Sequence, residues 1–184
     1  MTVERGDAVD DSGATVLRAT GLRETAGARG TYFAECYGED GQLKWADRAD
    51  NIVTTAGAND LLDKYWDLTQ PTTKYMGLVA SSTGVFSTAD TMASHAGWTE
   101  STIYTNGARL VPSWSAASAK SKVVSAAVAF SMGSSGIIGG AFMVSTSSAI
   151  GSTTGTLYSA GAFTGGPKVV SSGDTLNVTY TAAV

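Results

Sequence analysis

The chain has 184 residues, which is enough for one domain, or for one domain with an extended arm. Charged residues make up 15% of the chain and the formal net charge is -4, so the sequence lacks the basic patch that nucleic-acid binding requires. The single cysteine, Cys36, excludes an intrachain disulfide, and its place in an apolar alternation predicts a buried thiol. The 22 glycines and only 3 prolines, with many serines and threonines, favour strands and tight turns over helices.

The first 29 residues differ from the rest of the chain. Acidic residues alternate with arginines there and large apolar residues are sparse, so this segment cannot bury enough surface to fold alone. Two interpretations stay open: a disordered terminus, or an arm that orders on a partner and uses residues 14–22 as its anchor. The segment has neither a basic region nor an apolar core of a secretory signal, and no stretch of the chain is long enough for a membrane helix. The sequence therefore predicts an arm over 1–29, a β domain over 30–184 and no membrane partner.

A β-hairpin opens the predicted domain. Residues 31–37 (TYFAECY) read as a strand, Gly38–Gly41 as a tight turn in which glycine supplies positive φ, and residues 42–46 (QLKWA) as the return strand. A single helix follows, capped by Thr55 or Asn59 and ending before Pro71. Four large apolar residues form one stripe at helical spacing: Leu61, Leu62, Tyr65 and Trp66.

Short strands recur through the rest of the chain. The polar, turn-rich residues 81–106 form a long connection, of the kind that carries a function or packs against a neighbour. Regularly spaced short strands with Gly and Ser turns predict an all-β fold, a jelly-roll-like β-sandwich with one short helix. Seven further strands are predicted, at 74–80, 109–114, 122–130, 137–146, 156–158, 168–170 and 175–181.

The C-terminal third is poor in charge. Between Val123 and Val184 only Lys168 and Asp174 carry charged side chains. The surface of a free monomer normally carries many charged side chains. A β domain with many sheet edges and few charged residues risks pairing edge to edge with other copies. Association with other subunits would cover such a surface, so the pattern favours an oligomer.

Residues able to support catalysis are scarce. His95 is the only histidine and lies far from any nucleophile motif, so we interpret it as a loop residue with ordinary hydrogen bonds. One Cys and one His cannot build a zinc site without carboxylates, and no phosphate-binding glycine motif occurs. Glu35 and Asp40 flank the hairpin, where exposed acids are common. We therefore predict no enzyme, no catalytic residues, no metal and no cofactor.

The aromatic residues allow two interpretations. Four tryptophans and seven tyrosines can stack on sugars, but such residues more often anchor cores and protein interfaces. We favour the second interpretation. The candidate interface residues are Leu17, Leu22, Trp98, Tyr104, Trp114, Tyr158 and Phe163.

Segments spread over roughly residues 42–181 resemble a family of small tailed-phage virion proteins that are encoded beside the major capsid gene. The stretch around Trp98 is the most specific, and the N-terminal arm lies outside the resemblance. The matching segments are residues 43–47 (LKWAD), 51–53 (NIV), 57–63 (GANDLLD), 75–79 (YMGLV), 90–100 (DTMASHAGWTE), 139–142 (GGAF), 155–163 (GTLYSAGAF) and 173–179 (GDTLNVT).

The resemblance implies a capsid cement, or decoration, protein similar to the jelly-roll cement proteins of some podoviruses. Such a protein would be made in the host cytoplasm and bind the outer surface of the major capsid protein shell, across capsomer boundaries. The symmetry axes of the shell would favour a dimer or a trimer. An extended arm could cross to a neighbouring capsid subunit by strand addition. The alternative is a tail-associated virion module that binds a host receptor or glycan through the aromatic residues and the connection 81–106.

Overall fold

The computed structural model describes residues 27–66, 72–82 and 85–184. Within these residues the first half of the chain provides four strands and one helix: β1 (Arg29–Tyr37), β2 (Leu43–Val53), α1 (Thr55–Trp66), β3 (Lys74–Ser82) and β4 (Trp98–Glu100). Seven strands follow: β5 (Ser121–Val123), β6 (Val128–Ser131), β7 (Gly136–Ile138), β8 (Gly140–Ser145), β9 (Thr156–Ala162), β10 (Lys168–Val170) and β11 (Thr175–Ala183). The predicted all-β class with one short helix is confirmed.

Nine strands form one antiparallel sheet in the order β4-β3-β8-β9-β2-β1-β11-β5, with β6 also paired to β11. The long strand β2 connects the two halves of this sheet, because it pairs with β1 up to Asn51 and with β9 through Ile52 and Val53. The remaining strands, β7 and β10, form a separate two-stranded ribbon.

The two halves of the sheet face each other as a sandwich. One hydrophobic cluster contains side chains of β1 and β11, such as Tyr32 and Tyr180, together with Met76 and Met143 of β3 and β8. The Tyr32 hydroxyl lies 2.7 Å from the Ser159 hydroxyl of β9, and the two buried groups share a hydrogen bond across the layers. This β-rich sandwich is consistent with a jelly roll.

The long connection after β3 covers the other face of the β3-β8-β9 half. Met92 and Trp98 pack on Phe142, Val144 and their neighbours in a second hydrophobic cluster. Strand β8 is buried along its whole length because it is covered on both faces. The segment 81–106 is therefore mostly polar in sequence, but a few of its apolar side chains belong to the core.

Several predicted strands have different bounds in the structure. The hairpin is as expected, with Gly41 at a φ of 77° in its turn, although the return strand continues to Val53. Residues 109–114 form no strand and make only isolated bridges, Leu110 to Met76 and Trp114 to Val124. The predicted strands 122–130 and 137–146 each divide in two, and Gly139 separates a ribbon strand from a strand of the main sheet. The predicted arm falls mainly on residues 1–26, outside the described residues.

Candidate functional site

Four of the predicted interface residues lie inside the subunit. Trp98, Tyr104, Tyr158 and Phe163 are between 3% and 6% exposed and pack in the two hydrophobic clusters. Trp114 is partly buried and packs edge-on against Tyr180, at 6.2 Å between ring centroids. These five aromatic residues therefore support the core, and other side chains form the accessible apolar surface. The other two candidates, Leu17 and Leu22, lie outside the described residues.

Helix α1 is attached to the sheet through its small residues. Thr54, and not Thr55 or Asn59, caps the helix, because its side-chain oxygen accepts a hydrogen bond from the Gly57 amide at 3.0 Å. The Thr54 hydroxyl in turn donates to the Leu157 carbonyl of β9. Gly57 lies against the backbone of Tyr158 so closely that a Cβ atom there would collide with it. The close approach of helix and strand thus requires glycine at this position.

The large apolar side chains of α1 consequently point away from the core. Leu61 is 37% exposed, Leu62 56%, Tyr65 75% and Trp66 74%. With Ala28 and Ala58 they line a cavity of about 690 Å³, which we call the α1 groove. A helix of a soluble subunit normally turns such a stripe inward, so the α1 groove is an apolar surface that is accessible to a partner.

Lysines line two cavities next to the groove. Two smaller cavities, of about 260 and 280 Å³, also have Leu61 in their walls and contain Lys64, Lys74, Lys120 and Lys122. Asp60 accepts hydrogen bonds from Lys64 and Lys74. Burial would raise the pKa of Asp60, but these two ammonium groups outweigh it and hold that pKa below its usual value. The cavities next to the groove therefore combine apolar walls with four lysines, two of which pair with Asp60.

A second apolar surface is formed by the β7–β10 ribbon. Ile137 of β7 and Val169 of β10 are directly opposite each other, and their side chains are 50% and 66% exposed. The ribbon is held to the main sheet by Trp45, whose indole Nε1 donates to the Val169 carbonyl at 2.9 Å. The paired side chains thus stand on a ribbon with a fixed position.

Two lysine–aspartate pairs lie near this ribbon. Lys168 lies 2.7 Å from a carboxylate oxygen of Asp47, and Asp174 accepts a hydrogen bond from Lys44 at 2.5 Å. Burial would raise the pKa of both aspartates, yet the hydrogen bonds from these lysines and from backbone amides keep each pKa below its usual value. The only two charged side chains between residues 123 and 184 are therefore neutralised within the subunit.

Residues that could act chemically are engaged in packing. His95 stacks on Trp98 at 4.0 Å between ring centroids, and its Nδ1 lies 3.0 Å from the Trp98 carbonyl oxygen. Cys36 is fully buried, as predicted, and its thiol donates to Asp174. Burial and the neighbouring carboxylate raise the pKa of Cys36 to about 12, so the thiol is protonated and unreactive at neutral pH.

Residues 27–66, 72–82 and 85–184 provide neither a metal cluster nor a membrane-spanning helix. No three His, Cys, Asp or Glu side chains in this part of the chain are close enough together to hold a metal ion. No helix within the same ranges is long and apolar enough to cross a membrane.

The sequence indicated some of these surface residues but not their exposure. The α1 stripe was visible from its spacing, and Gly57, which is buried against the Tyr158 backbone, is the signal that the helix contacts the sheet through a small residue and leaves the stripe exposed. Ile137 and Val169 lie in strands of three residues, too short for an alternation to reveal which side chain is exposed. No protein-family model matches the chain, and no curated protein matches it at a significant level.

Proposed function

We propose that this protein is a structural subunit of a tailed-phage particle, a capsid cement protein that binds the outer surface of the major capsid shell across capsomer boundaries. The observation that carries the proposal is the β7–β10 ribbon, where Ile137 and Val169 are exposed and the nearby charges of Lys168 and Asp174 are paired within the subunit. Apolar, charge-poor surface is typical of the centre of protein interfaces. The role is binding and not catalysis, and the subunit acts as a dimer or trimer on a symmetry axis of the shell.

The surface alone supports a general role as an assembly subunit. The resemblance of residues 42–181 to small phage virion proteins favours the more specific role of a cement protein. A sandwich that holds one apolar ribbon in a fixed position is suited to that role, because many identical weak contacts on one shell make the attachment effectively permanent. The proposal requires a copy number on the order of hundreds per particle, as repeated shell sites demand.

Binding to shells assembled without this protein tests the proposal. The unaltered protein should co-sediment with such shells up to a saturating copy number. The double variant Ile137→Asp, Val169→Asp should bind about a hundredfold more weakly, because each aspartate removes an apolar contact and buries a charge. Val85→Asp with Val111→Asp, which changes two valines that are 63% and 57% exposed elsewhere, is the matched control and should bind normally.

The copy number per particle is the most direct test of the proposal. Quantitative mass spectrometry of purified virions that found only a few copies per particle would exclude a cement role. Equal loss of binding in the ribbon variant and in the control would show that the ribbon is not the contact surface.

A second candidate is a tail-associated module that binds a host receptor or glycan. The observation in its favour is the pair Tyr65 and Trp66, about three-quarters exposed, with ring centroids 5.4 Å apart. Exposed aromatic faces can stack on sugar rings. Labelling of tail tips by a tagged protein in electron micrographs, lost in Trp66→Ala, would support this function over the first.

A further inference from the structure

The described chain begins at the α1 groove. Ala28 is part of the groove wall, beside Leu62 and Trp66, so the segment before it starts at this surface. Leu22 is six residues before Ala28, and six residues reach at most about 20 Å. The end of the apolar stretch 14–22 (ATVLRATGL) is therefore always within about 20 Å of the groove wall.

We propose that the α1 groove is the docking site for residues 14–22 of the same chain. Val16, Leu17 and Leu22 are the large apolar side chains of this stretch, and Leu61, Leu62 and Trp66 are the uncovered apolar side chains of the groove. Its volume of about 690 Å³ lies in the range of clefts that bury whole ligands, roughly 300–1,000 Å³. Docking would bury the two apolar surfaces against each other.

The charges of the two surfaces are complementary. The residues before the apolar stretch contain Glu4, Asp7, Asp10 and Asp11 against one arginine, Arg5. The cavities that share Leu61 with the groove are lined by four lysines, and two of these, Lys64 and Lys74, pair with Asp60. Docking of residues 14–22 brings the acidic residues 4–11 toward these lysines, and opposite charges favour that orientation.

The connection favours the chain's own segment over that of a second copy. A segment tied to the groove wall by six residues has a local concentration in the millimolar range, well above that of a second subunit in dilute solution. The occupant is thus intramolecular. This inference does not rest on the proposed function, since a subunit with any role would need to cover the same apolar surface.

Limited proteolysis of the full-length protein tests the docking. Trypsin cleaves after arginine, and Arg18 lies within the docked stretch while Arg5 lies outside it. Cleavage requires local opening of the docked segment, so the bond after Arg18 should be cut about tenfold more slowly than the bond after Arg5. Intact-mass spectrometry over time gives both rates in one sample.

Two substitutions, one in the groove and one in the docked segment, should each abolish the protection of the bond after Arg18. Leu62→Asp changes a groove residue that is already 56% exposed, so the fold is retained, and Leu17→Asp changes the segment itself. Each should bring the cleavage rate after Arg18 up to that after Arg5. Val111→Asp and Val3→Asp make the same chemical change outside the groove and outside the stretch, and should leave the protection intact.

The inference is overturned if the unaltered protein is cut equally fast after Arg18 and Arg5, or if Leu62→Asp and Leu17→Asp leave the protection unchanged. Dilution tests the intramolecular arrangement separately. Protection that stays constant over about a hundredfold dilution supports it, whereas protection lost on dilution assigns the groove to a second copy and overturns the proposal. Failure of shell binding would leave these cleavage results untouched, so the two proposals fail independently.

Discussion

Arg109 and Glu100 form a buried ion pair with two parallel hydrogen bonds. The Nε and Nη2 atoms of Arg109 donate to the two carboxylate oxygens of Glu100 at 2.8 and 2.7 Å. Arg109 also donates to the carbonyls of Ser147 and Ser152, while Glu100 accepts from the Gly151 amide at 2.7 Å. The side chains are 0% and 7% exposed, so this pair connects strand β4 with the loop between β8 and β9 inside the protein.

Loss of the Glu100 charge should be strongly destabilising. In Glu100→Gln the guanidinium of Arg109 stays buried without its counter-charge, and we expect the free energy of unfolding to fall by about 3–5 kcal/mol. The double variant Arg109→Met, Glu100→Leu leaves no buried charge and should be less destabilised than the sum of its single variants. Urea denaturation of the unaltered protein, Glu100→Gln, the two single variants of the cycle and the double variant measures these effects. Additive effects of the two substitutions would contradict a coupled pair.

The sequence predicted those strands in which buried and exposed residues alternate. In β11, Leu176, Val178 and Tyr180 are buried and the residues between them are partly exposed, as the alternation indicated. The hairpin turn was predicted because glycine tolerates the positive φ that such a turn requires, and Gly41 has a positive φ in the structure. The ion pair of Arg109 with Glu100 was not predicted, since nothing in the spacing of two charged residues indicates that both are buried.

The binding surfaces were harder to predict, because exposure depends on tertiary contacts. Trp98 and Tyr158 belong to residue types that are common in interfaces, but they lie in the core. Trp66, of the same type as Trp98, lies on the surface. An apolar helical stripe normally faces the core, and here the contact of Gly57 with Tyr158 turns it outward. Residue type alone does not distinguish a core aromatic from an interface aromatic.

Gly57→Ala should detach α1 from the sheet. Alanine stabilises an isolated helix by about 1 kcal/mol over glycine, but its Cβ would overlap the Tyr158 backbone, which cannot move without disturbing β9. We expect a net loss of about 2 kcal/mol in the free energy of unfolding, measured by urea denaturation. Asn59→Ala, at an exposed position of the same helix, is the control and should change stability by at most about 0.5 kcal/mol. A stabilised Gly57→Ala would contradict the close contact.

The turn before β5 contains two strained residues. Ser118 and Ser121 exchange backbone hydrogen bonds at 2.9 Å, and between them Ala119 and Lys120 have φ values of 48° and 61°. This is a type I′ turn, in which asparagine is favoured over alanine at the first central position. Ala119→Asn should raise stability by about 0.5–1 kcal/mol, and the Tm in a thermal scan by about 1–4 °C. Ala117→Asn, made outside the turn, should give no such gain.

Asp174 makes the stability of the protein depend on pH in the acidic range. Its Oδ2 accepts from the Lys44 ammonium at 2.5 Å and from the Ser171 amide at 2.7 Å. Burial would raise the pKa of Asp174, but these donors outweigh it, so the pKa lies lower in the folded protein than in the unfolded chain. The unfolded chain then binds more protons, and the stabilisation is present above about pH 4 and lost as the pH falls through the folded-state pKa.

Asp174→Asn tests this linkage because asparagine does not titrate. At pH 7 the variant should lose about 1–3 kcal/mol of unfolding free energy, since the charged hydrogen bond from Lys44 is gone. Between pH 5 and about pH 3 it should then lose less stability than the unaltered protein, because one of the titrating carboxylates is absent. Asp50→Asn removes a charge from a side chain that is 57% exposed and controls for the change in net charge. Parallel stability profiles for Asp174→Asn and the unaltered protein would show that Asp174 does not carry this dependence.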